Sequence, residues 1–182
     1  MHNQNLNYFC YIDSYNSRLI NNLPKTTSII YRNYNNNQID LNSIIKIKKI
    51  CKKRGLKFYL SNNVKLAIKL DLNGAYIPAF EKNLSIKSYK LKKKFKLIGS
   101  AHNIKEIKHK ELQNVDCIFL SPLFTSKKNK KCLEIYKFKN LMKTTKKKII
   151  SLGGITEKNL KRLNLLKTYG VASISLFNKY KN

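Results

Sequence analysis

Carboxylates are what this chain has least of. Nine Asp and Glu accompany 38 Lys and Arg, for a formal charge of +29 at pH 7. A site built on clustered acids therefore has few positions to draw on: Asp13, Asp40, Asp71, Asp116, Glu81, Glu106, Glu111, Glu134 and Glu157 are the whole set. Cysteine is sparse and scattered. Cys10, Cys51, Cys117 and Cys132 form no Cys-x-x-Cys pair, which argues against a zinc knuckle or a dithiol redox motif. Six Gly and three Pro are too few for a fibrous or low-complexity chain. No apolar run approaches the roughly 20 residues of a membrane span. The segment Met1-His2-Asn3-Gln4-Asn5 lacks the basic patch, apolar core and small-residue cleavage site of a secretory signal. The expectation is a cytoplasmic protein with no membrane partner and unpaired thiols.

Lysine is what the chain has in excess. A basic face that neutralises phosphates would mark a nucleic-acid binder. Here the lysines run along the whole chain instead of gathering on one helix or tail. Lys, Asn and Ile are also abundant together, as an AT-rich coding sequence produces. The charge is therefore assigned to composition bias and a small anionic substrate, and a nucleic-acid partner ranks below that reading.

Hydrophobic patterning sets the fold class. Short apolar runs predict strands at Tyr8–Ile12, Ser28–Tyr31, Lys57–Leu60, Gly74–Ile77, Lys96–Ser100, Cys117–Ser121, Lys148–Leu152 and Val171–Ile174. Apolar residues three or four apart predict helices between them. Leu41, Ile44, Ile45, Ile47 and Ile50 make the clearest face; Val64–Leu70, Ile104–Leu112 and Leu160–Leu166 suggest others. Repeated strand–helix units imply a parallel sheet. About eight such strands in one domain, residues 1–182, point to a compact (βα)8 TIM barrel, shorter than the typical ~250 residues. Ser175–Asn182 leaves room only for a short or missing last helix. A doubly wound sheet is the alternative.

A barrel's site forms where strand C-termini meet the following loops, so the strand ends carry the functional reading. Ile150-Ser151-Leu152-Gly153-Gly154-Ile155 ends a strand on a glycine pair, which lets backbone N–H groups approach a phosphate closely. The next unit supplies Gly170-Val171-Ala172-Ser173-Ile174-Ser175. The loops after a barrel's last two strands commonly build its phosphate site. Ser121-Pro122-Leu123-Phe124-Thr125-Ser126-Lys127 puts hydroxyls and an ammonium past the sixth strand. Arg32, Asn62, Ser100 and His102 stand at or just beyond other strand ends, and Glu81 follows the fourth.

Together these strand ends resemble the thiamine-phosphate synthase/TenI family of compact barrels. The pair Ile150–Ile155 and Gly170–Ser175 is similar to the family's "ALGGI … GVAVIS". Ser121–Lys127 resembles its "[GS]PvF-T-x-x-K" loop, one residue shorter. Ile98-Gly99-Ser100-Ala101-His102 resembles "iG-x-S-x-H", Ile30-Tyr31-Arg32 "QLRxK", and Asn62–Ala67 "NDrvdLA". The resemblance implies a cytoplasmic transferase that joins hydroxymethylpyrimidine diphosphate to a thiazole phosphate, releasing diphosphate. It implies that Gly153, Gly154, Ile174 and Ser175 hold the thiazole phosphate with help from Thr125. Arg32, Ser100 and Lys127 would face the diphosphate, with Asn62 and Ser121 beside the substrates and His102 a proton carrier. It also implies Mg2+, for which Glu81 is the placed carboxylate. Association with further copies of the chain is a partner the resemblance allows.

Departures from the family pattern fall on one side. Its Gln and Lys around the arginine are Ile30 and Tyr34, its "ND" is Ser61-Asn62, and its "GvHlGqeD" is Gly74–Glu81. An amide in place of a carboxylate removes a hard ligand that magnesium prefers. The alternatives are therefore a TenI-like thiazole tautomerase using His102, or a non-catalytic phosphate-binding barrel.

Overall fold

The computed structural model describes residues 6–34, 40–126 and 130–180. Its eight strands are β1 (Asn7–Ile12), β2 (Thr27–Tyr31), β3 (Lys57–Ser61), β4 (Gly74–Ile77), β5 (Lys96–Ala101), β6 (Cys117–Leu120), β7 (Lys148–Leu152) and β8 (Gly170–Ser173). They pair in parallel, in chain order, and β8 closes onto β1 with Asn7 opposite Gly170. The chain is a (βα)8 barrel, and each strand lies within one residue of its expected bounds. Both faces of these strands are buried, so they read as continuous apolar runs.

Among the described residues, five α-helices cover the outside: α1 (Ser17–Asn22), α2 (Leu41–Arg54), α3 (Val64–Lys69), α4 (Ile104–Leu112) and α5 (Glu134–Met142). Asparagine, plentiful in this chain, starts three of them. Asn16, Asn63 and Asn103 accept the N–H groups of Leu19, Leu66 and Glu106 at 2.8, 2.9 and 2.9 Å, satisfying donors that the first helical turn leaves over. The remaining connections, Leu84–Ser88, Glu157–Leu165 and Ser175–Tyr180, are 3-10 helices. The expected helical face at Leu160–Leu166 takes this form because Leu160, Leu163 and Leu166 recur every three residues, the period of a 3-10 turn. Leu163 and Leu166 are buried, whereas Leu165 is 62% exposed. The Ser175–Tyr180 segment is the short last helix that the sequence leaves room for.

The core has two shells. Outward-facing strand residues such as Ile29, Phe58, Leu97 and Ile118 pack on the helices with Leu19, Ile47, Ile107 and Phe138. Inside the barrel, Phe9, Tyr11, Ile30, Tyr59, Tyr76, Ile98, Phe119, Ile150 and Ala172 form a separate cluster. Phe119 sits at its centre, edge-on to Phe9, at 5.0 Å, and to Tyr11, at 6.0 Å. Side chains alternate along a strand with period two, and alternate strands share a tier of a barrel interior. Tyr11, Ser61, Ser100 and Leu152 thus form an upper tier from β1, β3, β5 and β7. Asn7, Lys57, Lys96 and Lys148 form the lowest tier from the same strands.

One loop at the mouth is held by a buried lysine. Lys110 is fully buried on α4. Its Nζ donates to the Glu81 carbonyl at 2.7 Å and to Gln113 Oε1 at 2.8 Å, while Gln113 Nε2 donates to the Glu81 and Asn83 carbonyls. Gly99 leaves the room, since a Cβ there would lie 2.9 Å from Lys110 Cδ. Burial pushes the Lys110 ammonium down from 10.5 to about 8. Between those values the unfolded chain binds more protons than the folded one, so this residue's contribution to stability rises with pH across that window. Urea unfolding followed from pH 7.5 to 10.5 should therefore move in favour of the wild type relative to Lys110→Met. A pH-independent difference would refute the assignment.

Candidate functional site

The turn after β7 is shaped by its two glycines. Gly153 and Gly154 have φ of 98° and 64°, in the region where a side chain is strained. Both also lie against the loop after β6. A Cβ on Gly153 would sit 2.8 Å from Pro122 Cα, and one on Gly154 2.3 Å from the Thr125 carbonyl. The turn's carbonyls are used for packing: Leu152 and Gly153 accept from the Leu123 and Phe124 N–H groups at 2.9 and 3.1 Å, and Gly154 from Asn159 Nδ2 at 2.8 Å. Among the described residues, the N–H groups of Gly153, Gly154 and Ile174 donate to no turn or loop acceptor. The end of β8 is tied to the same turn. Ser173 Oγ donates to the Ile155 carbonyl at 2.9 Å, and Ser175 Oγ reaches the same oxygen at 3.5 Å. Gly153, Gly154, Thr125, Ile174 and Ser175 thus come from three loops that hold one another, and the N–H groups of Gly153, Gly154 and Ile174 suit an anion.

Arg32 stands across the mouth from this turn. Its N–H donates to the Ile12 carbonyl at 2.8 Å, which continues the β1–β2 ladder. Its guanidinium lies over the Tyr11 ring at 4.8 Å and near the Tyr34 ring at 5.8 Å. The rings hold the cation, and none of the ion pairs among the described residues involves Arg32. Arg32 and Ile174 line one cavity of about 150 Å³ together with Tyr11, Asp13 and Ser14. Ile174, next to the residues that tie β8 to the glycine turn, and the arginine therefore share a space.

Aromatic residues make up much of this side of the mouth. Tyr11 packs edge-on to Tyr76 at 5.6 Å, and Tyr34 edge-on to Phe80 at 5.6 Å. The Tyr34 hydroxyl is 2.7 Å from Ser61 Oγ. Burial pushes the Tyr34 phenol up to about 12 and Tyr11 well above its ordinary value. Both hydroxyls therefore stay protonated and neutral. The Tyr11 hydroxyl is buried beside Tyr76 with no partner at hydrogen-bond geometry. The sequence reading missed Tyr11, Tyr34, Tyr76 and Ser61. For Tyr11, Tyr76 and Ser61 the signal was inward parity at a strand end, which for an aromatic residue is indistinguishable from ordinary core; Tyr34 lies three residues past β2, where no strand parity applies.

His102 and Ser121 meet on the remaining side. His102 Nδ1 is 2.9 Å from the Ser121 carbonyl and 3.1 Å from Ser121 Oγ. The His102 N–H donates to Glu106 Oε2 at 2.7 Å. Ser100 is buried beneath them in the upper tier.

Two expected positions stand elsewhere, and a third is not among the described residues. Asn62 has φ of 54° and is exposed; strand parity turns Ser61 inward instead, and Asn62 makes the left-handed turn into α3. Glu81 Oε1 accepts the Asn83 N–H at 2.8 Å, so its carboxylate closes a local turn. Lys127 lies outside the described residues. No three His, Cys, Asp or Glu side chains come together among the described residues. Asp13 is the one carboxylate lining the Arg32 cavity, and it accepts the Ser14 hydroxyl at 3.0 Å. Asn62, Glu81 and Asp13 do not assemble a magnesium seat.

Comparison with known proteins places this geometry. The thiamine-phosphate synthase of Helicobacter pylori (strain HPAG1) is 31% identical over 137 residues, covering 72% of this chain and 61% of that protein. The Staphylococcus haemolyticus (strain JCSC1435) thiamine-phosphate synthase is 30% identical over 145 residues, 76% of this chain and 66% of that one. The Fusobacterium nucleatum thiamine-phosphate synthase is 26% identical over 133 residues, 72% of this chain and 65% of its own length. The matched part thus spans a little under two thirds of these relatives. Among solved structures, a thiamine phosphate pyrophosphorylase from Pyrococcus furiosus superposes with a TM-score of 0.74 at 14% identity, covering 97% of this chain and 93% of that one. FabK from Thermotoga maritima also superposes, with a TM-score of 0.66 at 12% identity over 95% of this chain and 59% of that one. At such identities these two likenesses show the barrel alone. No helix among the described residues is long and apolar enough to cross a membrane. A family model described as thiamine monophosphate synthase (TMP-TENI) matches residues 17–177, nearly the whole barrel, and the chain belongs to that family.

Proposed function

We propose that this barrel works in thiamine biosynthesis as a transferase, joining hydroxymethylpyrimidine diphosphate to thiazole phosphate. The supporting observation is the Gly153-Gly154 turn, braced by the β6 loop and the β8 end, beside a cavity that also holds Arg32. In the proposed reaction, the bond between the pyrimidine methylene carbon and the diphosphate oxygen breaks. Diphosphate leaves with the electron pair, and the thiazole nitrogen forms the new bond to that carbon. No strong base is required; the protein's contribution is placing the two substrates and stabilising the leaving group's charge. The backbone donors of Gly153, Gly154 and Ile174, with Ser175 and Thr125, would hold the thiazole phosphate. The Arg32 guanidinium would meet the departing diphosphate, with Ser100 and Lys127 as further donors to it. The neutral tyrosine hydroxyls would donate hydrogen bonds without adding charge.

The test is incubation of the pure chain with both phosphorylated precursors, with and without added Mg2+, and chromatography for thiamine phosphate. Product formation supports the transferase; bound thiazole phosphate without product overturns it. The His102–Ser121 contact favours a second reading, in which His102 moves a proton within a thiazole carboxylate phosphate. That reading expects isomerisation of the single substrate, lost in His102→Ala. His102→Ala should leave thiazole phosphate binding within about twofold in either case, because the residue lies outside the backbone donor set.

A further inference from the structure

We infer a second anion site at the opposite, N-terminal end of the barrel, built to take a small organic phosphate carrying an apolar body. The argument starts from the lowest interior tier. β3, β5 and β7 begin on Lys57, Lys96 and Lys148, and their inward parity turns all three onto one opening. The tier above comes from the even strands and consists of Ser28, Gly74, Cys117 and Gly170. All four are small, and no branched side chain fills the barrel there, whereas a barrel interior is ordinarily packed solid with bulky residues. The two glycines are required by close strand approach: a Cβ on Gly74 would lie 2.0 Å from the Lys96 carbonyl, and one on Gly170 2.5 Å from that of Asn7. A cavity of about 240 Å³ results.

That volume holds several waters, each taking about 30 Å³ of liquid, and falls just short of the roughly 300 Å³ at which drug-sized pockets begin. The ligand is therefore small. The cavity's inner wall is Phe9, Ile98 and the Tyr59 ring, and its rim carries the three lysines with Asn7, Asp116 and Tyr169. Lys96 is paired with Asp116 at 2.8 Å. Lys148 lies over the Tyr169 ring at 4.7 Å. Neither Lys57 nor Lys148 takes part in an ion pair among the described residues. Three ammonium groups against one carboxylate leave two charges for a ligand to neutralise, which matches a phosphomonoester dianion. The apolar wall selects an anion with a hydrocarbon or ring body over the bare ion.

Titration calorimetry on the full chain with phenyl phosphate tests this, with inorganic phosphate as the comparison probe. Lys57→Gln/Lys148→Gln should bind one equivalent of phenyl phosphate fewer than the wild type, or bind it about a hundredfold more weakly, each lysine contributing about tenfold as a charge-assisted partner. The thermal midpoint gained on adding phenyl phosphate should shrink in parallel. Ser28→Leu, which fills the cavity without touching a charge, should have the same effect. Lys65→Gln/Lys137→Gln, on exposed positions of α3 and α5, should bind as the wild type does. Binding that is unchanged in the Lys57/Lys148 pair, or lost equally in the Lys65/Lys137 pair, overturns the site. Equal affinity for phenyl phosphate and inorganic phosphate overturns the part played by the apolar wall. Failure of the mouth reading remains distinguishable, because the wild type would then bind a single equivalent that the Lys57/Lys148 pair still removes.

Discussion

Replacing Gly154 by alanine should abolish thiazole phosphate binding at working concentrations. Two costs coincide at this position. The φ of 64° puts a side chain in the left-handed region, at about 1–2 kcal/mol. The new Cβ would also lie 2.3 and 2.4 Å from the Thr125 and Phe124 carbonyls, and backbone atoms cannot swing aside as a flexible side chain does. The β6 loop would have to retreat, and the three-loop arrangement of donors would open with it. We expect affinity to fall by at least tenfold, about 1.4 kcal/mol, together with a lower thermal midpoint. Gly55→Ala separates the two costs. Gly55 has φ of 70° but nothing within 4 Å of its Cβ position, so it carries the strain without the collision. It should lower the midpoint and leave binding intact. If both variants bind thiazole phosphate as the wild type does, the glycine turn is not the phosphate seat.

Arg32→Gln should be the most damaging single change to turnover. The guanidinium is the one cation described on the cavity it lines, and it would face charge that develops only as the diphosphate leaves. Removing a donor aimed at developing charge costs about 10²–10³ in rate. The loss should appear in kcat with the diphosphate substrate, while thiazole phosphate binding stays within about twofold. Arg32→Lys should rescue little. A lysine presents no planar fork to a diphosphate and stacks less well between the Tyr11 and Tyr34 rings. Full turnover in Arg32→Gln would remove the arginine from the reaction.

The sequence made the strands more legible than the helices, for a physical reason. A strand buried on both faces is apolar at every position, so its limits show even to composition. Helices declare themselves by periodicity, which needs length. Leu41–Arg54 has it; the six residues of Ser17–Asn22 do not. Glu134–Met142 carries Ile135 and Phe138 on its buried side, but the lysine-rich stretch before it masked the pattern. At the mouth, Gly153, Gly154 and Arg32 were readable because each residue type answers one demand: positive φ for the glycines, fixed charge for the arginine. Asn62 misled because the family motif marks a position, while strand parity decides which of Ser61 and Asn62 turns inward. The fate of the Glu81 carboxylate depended on a turn two residues away, which no spacing rule exposes.

The ring of Phe9, Tyr11, Tyr59, Tyr76 and Phe119 fills the middle of the barrel, and it has a bearing on both ends. It is an insulating bulkhead. Water and small ions entering at the lysine rim meet a wall of hydrocarbon before they reach Arg32, so the interior is two shallow basins set back to back instead of one channel. Among the described residues, the two basins share no hydrogen-bond partner through that wall. Free energies of substitution at one end should then simply add to those at the other. Each basin is open to change under selection without disturbing its neighbour.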